Sequence, residues 1–335
     1  MPKDRNSVIE LLRILAMLLI IAGHDVMASG LPLSVGGEDL SLVEKVNLAL
    51  GRTLFSAGHW GAITFFLITG YFWRGDSVRW KAVGHIMLVT AFYLAIFPLL
   101  AFLLPGLLPE QAAYYPPFVL IYPYWFVTAY LLMMLVYPLL MRRGGERFLS
   151  CLTWGLGAVL LLLWALDLSG RSYAAFPPVY LILAPLFFLL LGRKLRESSA
   201  LTPSLGAGLA WAVLSFLAMV AMNAIGGESV YRKIGTLISP LNILLPTFLL
   251  LSFLRLPAFH AAVINKVAAL CLGIYLIHVN PYVNGLLWGN LFVKAGLAGA
   301  PVLFFRLLGE AMLIFVTCGI LEGIRQRCME KIYGN

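Results

Sequence analysis

The sequence predicts an all-α fold: a polytopic membrane bundle of about ten transmembrane helices, with both termini cytoplasmic. Three observations lead there. With 61% hydrophobic and only 12% charged residues over 335 positions, there is too little polar surface to cover a soluble globule, so lipid must solvate the remainder. Apolar stretches recur near the ~20 residues that a membrane-crossing helix requires. Lysine and arginine gather on alternate connections between those stretches, as orientation by positive charge demands.

Taken in order, the first stretch covers 7–28, where Glu10 and Arg13 interrupt the apolar run and no small-residue cleavage site closes it, so it reads as a retained helix rather than a secretory signal. The second, 54–73, ends in Phe65-Phe66-Leu67-Ile68-Thr69-Gly70-Tyr71-Phe72-Trp73. Its Gly70 permits close helix contact, and Thr69 can hydrogen-bond across an interface. Further stretches follow at 82–104, 118–141 and 148–167. The sixth, 178–192, is short and has Pro177, Pro178 and Pro185 in or beside it, which predicts a tilted, kinked or partly re-entrant element. Stretches at 205–225, 236–254, 266–288 and 301–324 complete the set. No linker, low-complexity tract or repeat divides the chain, so a single integral-membrane domain over 1–335 with no appended soluble domain is expected.

The net charge of +9 would point a soluble protein toward nucleic acid, but here its placement accounts for it. With a cytoplasmic N-terminus, the inner segments hold Lys3, Arg5, Arg74, Arg79, Lys81, Arg142, Arg143, Arg147, Arg193, Lys194, Arg196, Arg255, Lys266, Arg325, Arg327 and Lys331. The opposite loops hold Lys45, Arg52, Arg171, Arg232, Lys233 and Lys294. This bias predicts a multi-pass protein of the cytoplasmic membrane, with the bilayer and not a nucleic acid as its environment. Cys151, Cys271, Cys318 and Cys328 are spaced like neither a disulfide framework nor a zinc site, and no metal is expected.

Ionisable groups at membrane depth cost roughly 2.5–3.5 kcal/mol each on insertion scales, which makes them functional candidates by default. On the first helix Arg13 and His24 are eleven residues apart; eleven steps of ~100° return to within about 20° of one face while advancing about 16 Å. Glu10 is placed to pair with Arg13 and hold its guanidinium. A structural salt bridge plus a histidine satisfied by a neighbouring helix is the competing account of the same stripe. His278, about a dozen residues into the ninth stretch, should reach the level of His24. Asp25 points about 100° away from His24, toward another helix or the outer water. Trp125, Tyr130 and Glu310 belong to the outer half. His59 falls at the outer mouth of the second helix and His85 and His260 at cytoplasmic edges, where interfacial solvation is expected.

Four landmarks in order along most of the chain resemble acyltransferase family 3, bacterial integral-membrane enzymes that modify sugars and envelope glycans: Glu10-Leu11-Leu12-Arg13 with ten residues before His24, the Phe65 to Tyr71 run, Trp125-Phe126, and Tyr275-Leu276-Ile277-His278. The resemblance implies that His24 is catalytic, that Arg13 belongs to the same essential stripe, and that the donor is acyl-CoA, foremost acetyl-CoA. Arg13, Tyr71, Arg74, Arg79 and Lys81 are then the donor-binding candidates, with CoA phosphates kept at the cytoplasmic surface. His278, Trp125, Glu310 and His59 are the candidates on the acceptor side, the acceptor being a hydroxyl of an extracytoplasmic or lipid-linked glycan. Two departures stand out. Thr69 replaces the family's serine, and the arginine-rich motif after the second helix is reduced to Arg74, Arg79 and Lys81. A transporter or flippase for a glycan or small anion is the alternative, since buried Arg and His also mark transport pathways; oligomeric state is left open.

Overall fold

The computed structural model describes residues 6–31, 33, 40–75, 77–106, 124–170, 173–198, 203–294, 300 and 302–333. Among them every regular element is helical: α1 Ser7–Ala28, α2 Leu42–Leu54, α3 Ala57–Phe72, α4 Trp80–Leu103, α5 Trp125–Arg143, α6 Glu146–Leu168, α7 Ala184–Glu197, α8 Leu205–Ile234, α9 Pro240–Phe253, α10 Ala262–Ala269, α11 Cys271–His278, α12 Pro281–Leu286 and α13 Leu303–Tyr333. Part of the fourth predicted stretch (118–123), together with Lys3, Arg5, Arg171 and residue 301, lies outside the described residues.

Among the described residues six helices are long and apolar enough to cross a bilayer alone: α1, α4, α5, α6, the Leu205–Gly226 part of α8, and α13. Ala262–His278 and Pro281–Leu291 are long and apolar enough only together and meet at a 74° bend, the form of a broken span or of a re-entrant loop. Proline explains the break, because Pro281 has no N–H to give to the preceding turn, and the Asn280 side chain instead caps Tyr282 N at 3.1 Å. The second, sixth and eighth predicted stretches fold as shorter helices: α3 has 16 residues, and α7 and α9 have 14 each. The irregularity predicted from the prolines around the sixth appears as a π-helical turn, Val179–Leu183, that leads into α7.

α3 sits at the centre, between α1 on one side and α7 on the other. Its apolar residues are not confined to one stripe, and Ile63, Phe66, Leu67 and Ile68 are all buried, as befits a helix surrounded by protein. Glycine permits these close contacts. A Cβ on Gly23 of α1 would lie 2.3 Å from Gly58 N, and one on Gly70 would lie 2.0 Å from the Leu189 carbonyl of α7. The outer helices instead expose rows of large apolar side chains, such as Leu88 and Phe102 on α4, Leu161 and Leu162 on α6, Leu214 and Leu217 on α8, and Met312 and Leu313 on α13. Lipid is the solvent that such surfaces fit, and the protein is a multi-pass membrane protein.

Two local expectations are corrected. The region read as an outer loop carries α2, started by a capping box in which Ser41 and Glu44 satisfy each other's backbone N–H groups. Arg52 and Lys294, counted among the loop charges, are buried at 5% and 0% exposure. Arg52 donates to the carbonyls of Leu33 (2.9 Å) and Asn223 (3.2 Å), so the loops and α8 absorb its hydrogen bonds in place of water.

Candidate active site

His24 lies in the last turn of α1, directly after the glycine that lets α1 meet α3. Its Nδ1 is 3.0 Å from Nε2 of His278, with ring centroids 5.2 Å apart. His278 is the last residue of α11, fully buried at the bend within the ninth predicted stretch. Its Nδ1 is 2.7 Å from the carbonyl oxygen of Ile274. A carbonyl can only accept, so His278 carries its proton on Nδ1 and presents a lone pair at Nε2. That lone pair accepts from His24 Nδ1–H. His24 Nε2 is left unprotonated and, among the described residues, without a partner. The break that ends α11 at His278 is itself held: Asn280 Nδ2 donates to Tyr124 Oη at 2.9 Å, and that hydroxyl donates to the Leu276 carbonyl at 2.9 Å.

Three adjoining cavities line up along this stripe. The first, about 270 Å³, is walled by Arg13, Phe65, Thr69, Tyr130, Cys271 and Tyr275. The second is a chamber of about 50 Å³ against His24, bounded by Met27, Gly58, His59, Trp125, Phe126 and Tyr275. The third, about 360 Å³, is lined by His59, Trp125, Tyr180 and Thr236 among others. Phe126 and Tyr275 are shared by the first two, and His59 and Trp125 by the last two. His24 thus stands in a narrow chamber between two wider ones. Phe126 and Tyr275 enter the sequence reading only as landmarks of the resemblance, and the structure makes them the dividing wall.

On the Arg13 side, Arg13 Nη1 donates to Glu10 Oε1 at 2.8 Å, and Arg13 keeps a third of its side chain exposed, enough to line the first cavity. Thr69 donates to the Phe65 carbonyl (2.8 Å), so the Tyr130 hydroxyl at 3.1 Å is the donor to Thr69, leaving an ordered pair of hydroxyls on the cavity wall. α1 and α3 run antiparallel, Gly23 meeting Gly58 and Ile9 and Leu12 sharing a core cluster with Phe66 and Leu67, so the end of α3 and the segment after it share the Arg13 end of the bundle. Arg74, Arg79 and Lys81 are exposed there, Arg79 over the Trp73 ring at 5.4 Å. Tyr71 is half-buried against Phe72, and its carbonyl accepts from Arg196 Nη1 at 2.9 Å. α7 therefore brings Arg193, Lys194 and Arg196 to the same end, a basic supplement that the thin local motif did not reveal.

On the other side the candidates separate. His59, expected at the solvated interface and also an acceptor-side candidate, lines two of the cavities, and its Nδ1 donates to the Gly235 carbonyl at 2.8 Å. Trp125 lies beside it on the shared wall. Glu310 does not line these cavities. Its carboxylate is taken up by Arg306 Nε at 2.7 Å and by Lys294 Nζ. Lys294 also pairs with Asp25, fully buried, and donates its backbone N–H to the Ser29 carbonyl at 2.7 Å. Asp25 accordingly faces the segment before α13 rather than water. His85 and His260 are exposed and away from the cavities. Among the described residues no cluster of three His, Cys, Asp or Glu side chains is placed to hold a metal ion.

The arrangement couples a permanent cation, a histidine with a free lone pair and a buried histidine that orients it, in one row of cavities. Comparison with known proteins adds one positive finding: the family model described as an acyltransferase domain, acyltransferase family 3, matches residues 6–320. No curated protein and no solved structure is matched.

Proposed function

The chain belongs to this acyltransferase family, and from that premise we propose that it is a membrane O-acyltransferase that moves an acyl group, acetyl foremost, from cytoplasmic acyl-CoA to a hydroxyl of an extracytoplasmic or lipid-linked glycan. The observation that carries the reading is the His24 chamber between two larger cavities, with Arg13 on one side and Trp125 and His59 on the other.

The topology proposed with it has ten crossings, counting the short and broken apolar helices, and both ends in the cytoplasm of the cell producing it, which places the Arg13 end inside. CoA phosphates then remain at the surface with Arg74, Arg79 and Lys81, and with Arg193, Lys194 and Arg196 from α7. Only the pantetheine arm enters, past Arg13 and the Thr69–Tyr130 pair, over the about 16 Å of helix rise that separates Arg13 from His24. A chamber of about 50 Å³ walled mainly by apolar side chains favours a small uncharged acyl group; the carboxylate of a succinyl group would find no cation among those walls.

The acceptor oxygen attacks the thioester carbon while its proton passes to His24 Nε2. The C–O bond forms, the C–S bond breaks, and the proton then leaves with the CoA thiolate. Throughout, His24 Nδ1–H stays on His278 Nε2, whose own proton is held by the Ile274 carbonyl, so the transient imidazolium keeps its orientation and a hydrogen-bond acceptor. The test is release of free CoA from acetyl-CoA by purified protein in liposomes, with and without an envelope-glycan extract. Turnover that rises with the extract and disappears in His24→Ala supports the reading. Failure with acetyl-, succinyl- and longer acyl-CoA in folded protein overturns it.

A further inference from the structure

His59 has the same tautomeric logic as His24. Its Nδ1 sits 2.8 Å from the Gly235 carbonyl at the end of α8, so the proton is on Nδ1 and a lone pair is on Nε2. Among the described residues nothing donates to that nitrogen, yet the ring lines both the His24 chamber and the wider third cavity. Two imidazoles, each with its Nδ1–H engaged by protein and its Nε2 free, therefore border one chamber. A single proton acceptor suffices to deprotonate one hydroxyl, so the second is available to accept from another donor that a ligand brings into the chamber.

We infer that His59 is a positioning residue that accepts a hydrogen bond from a second hydroxyl of the acceptor, adjacent to the one that is acylated. The substrate class selected is a diol, not an isolated alcohol: one hydroxyl faces His24 Nε2 and its neighbour faces His59 Nε2. Trp125, on the wall that His59 shares, offers a flat apolar face for the carbon skeleton between the hydroxyls. A site that offers two acceptors discriminates against a ligand that brings one donor, because that ligand leaves the second nitrogen to water and forgoes one hydrogen bond. The inference rests on the acyl-transfer reading for its chemistry, but not for the binding geometry.

The probes are cis-1,2-cyclohexanediol and cyclohexanol, compared as acceptors with acetyl-CoA by ester formation. Wild type is expected to favour the diol about tenfold in kcat/KM, the worth of one hydrogen bond, with the difference mainly in KM. His59→Asn keeps an amide N–H for the Gly235 carbonyl but has no acceptor at the Nε2 position, and its preference should fall to about one. His59→Gln, whose amide oxygen reaches that position, should recover part of it. A purely structural histidine predicts the reverse order, with Asn rescuing, and that result overturns the inference, as does equal use of both alcohols by wild type. A readout without turnover separates the two proposals: the diol, and not cyclohexanol, should slow carbethoxylation of His59 by diethylpyrocarbonate, followed by peptide mass spectrometry. Protection together with no CoA release in the liposome assay above defeats the acyl-transfer reading and leaves the hydroxyl site standing; absence of protection defeats the inference whatever the turnover.

Discussion

His24 and Asp25 are consecutive residues of one helix, both inside the bundle, and they have opposite fates. Asp25 is sealed in a network in which Lys294 bridges it to Glu310, and Arg306 joins from the next turn of α13. No cavity opens onto it among those described above. His24, about 100° around the helix, spends one nitrogen on His278 and leaves the other toward a chamber. A buried polar group is costly in either place. What separates the structural one from the reactive one here is what it faces: Asp25 faces the charged side chains that seal it in, whereas His24 Nε2 faces space that a ligand can fill.

The strongest way to break the comparison is to exchange the consequences of mutating each side. His24→Ala should lower acyl transfer by about 10²–10⁴-fold, the range for a lost general base, while detergent-solubilised protein keeps its thermal unfolding midpoint. A large loss of stability instead would class His24 with Asp25. Lys294→Met should do the opposite, leaving two carboxylates buried against each other and destabilising the fold by about 3–5 kcal/mol; the measurement is thermal unfolding by fluorescence-detected size exclusion. An unshifted midpoint would mean that the network is wetter than its burial implies.

A finer test addresses His278. His278→Asn is expected to slow transfer by roughly ten- to a hundredfold, the worth of a hydrogen bond to a group that becomes charged, with KM for the donor little changed. The last test lies on neither side of the comparison. Gly70→Ala forces a methyl against the Leu189 carbonyl and should cost about 1–3 kcal/mol of stability, read as a lower unfolding temperature with residual activity per folded molecule retained.

Part of this site can be read along the chain because helix geometry is periodic. The Arg13–His24 stripe and the Glu10–Arg13 pair follow from residue spacing alone, and the ion pair is present at 2.8 Å. The level of His278 follows from counting residues into its span, and it does meet His24. The Ser41–Glu44 spacing also carries the capping-box pattern that starts α2, in a region whose apolar content is too low to mark it as a crossing. The partners of Arg52, Lys294, His59 and Glu310 were not legible. Spacing puts the first two in outer loops and the other two on the acceptor side, and each is held by a group from another segment: Asn223 for Arg52, Asp25 for Lys294, Gly235 for His59 and Lys294 for Glu310.

By itself the sequence determined the solvent and the local geometry. Too few charges to cover a globule mean lipid, apolar runs mean helices whose backbone bonds are satisfied within the segment, and a period of 3.6 residues decides which side chains share a face. The tertiary structure decided which of those faces meet. Gly23 against Gly58, the bend at Pro281 and the end of α8 at Gly235 bring three histidines to one place and assign their protons, because a carbonyl can only accept and each hydrogen bond fixes the next. Packing is non-local, and no spacing along the chain encodes it.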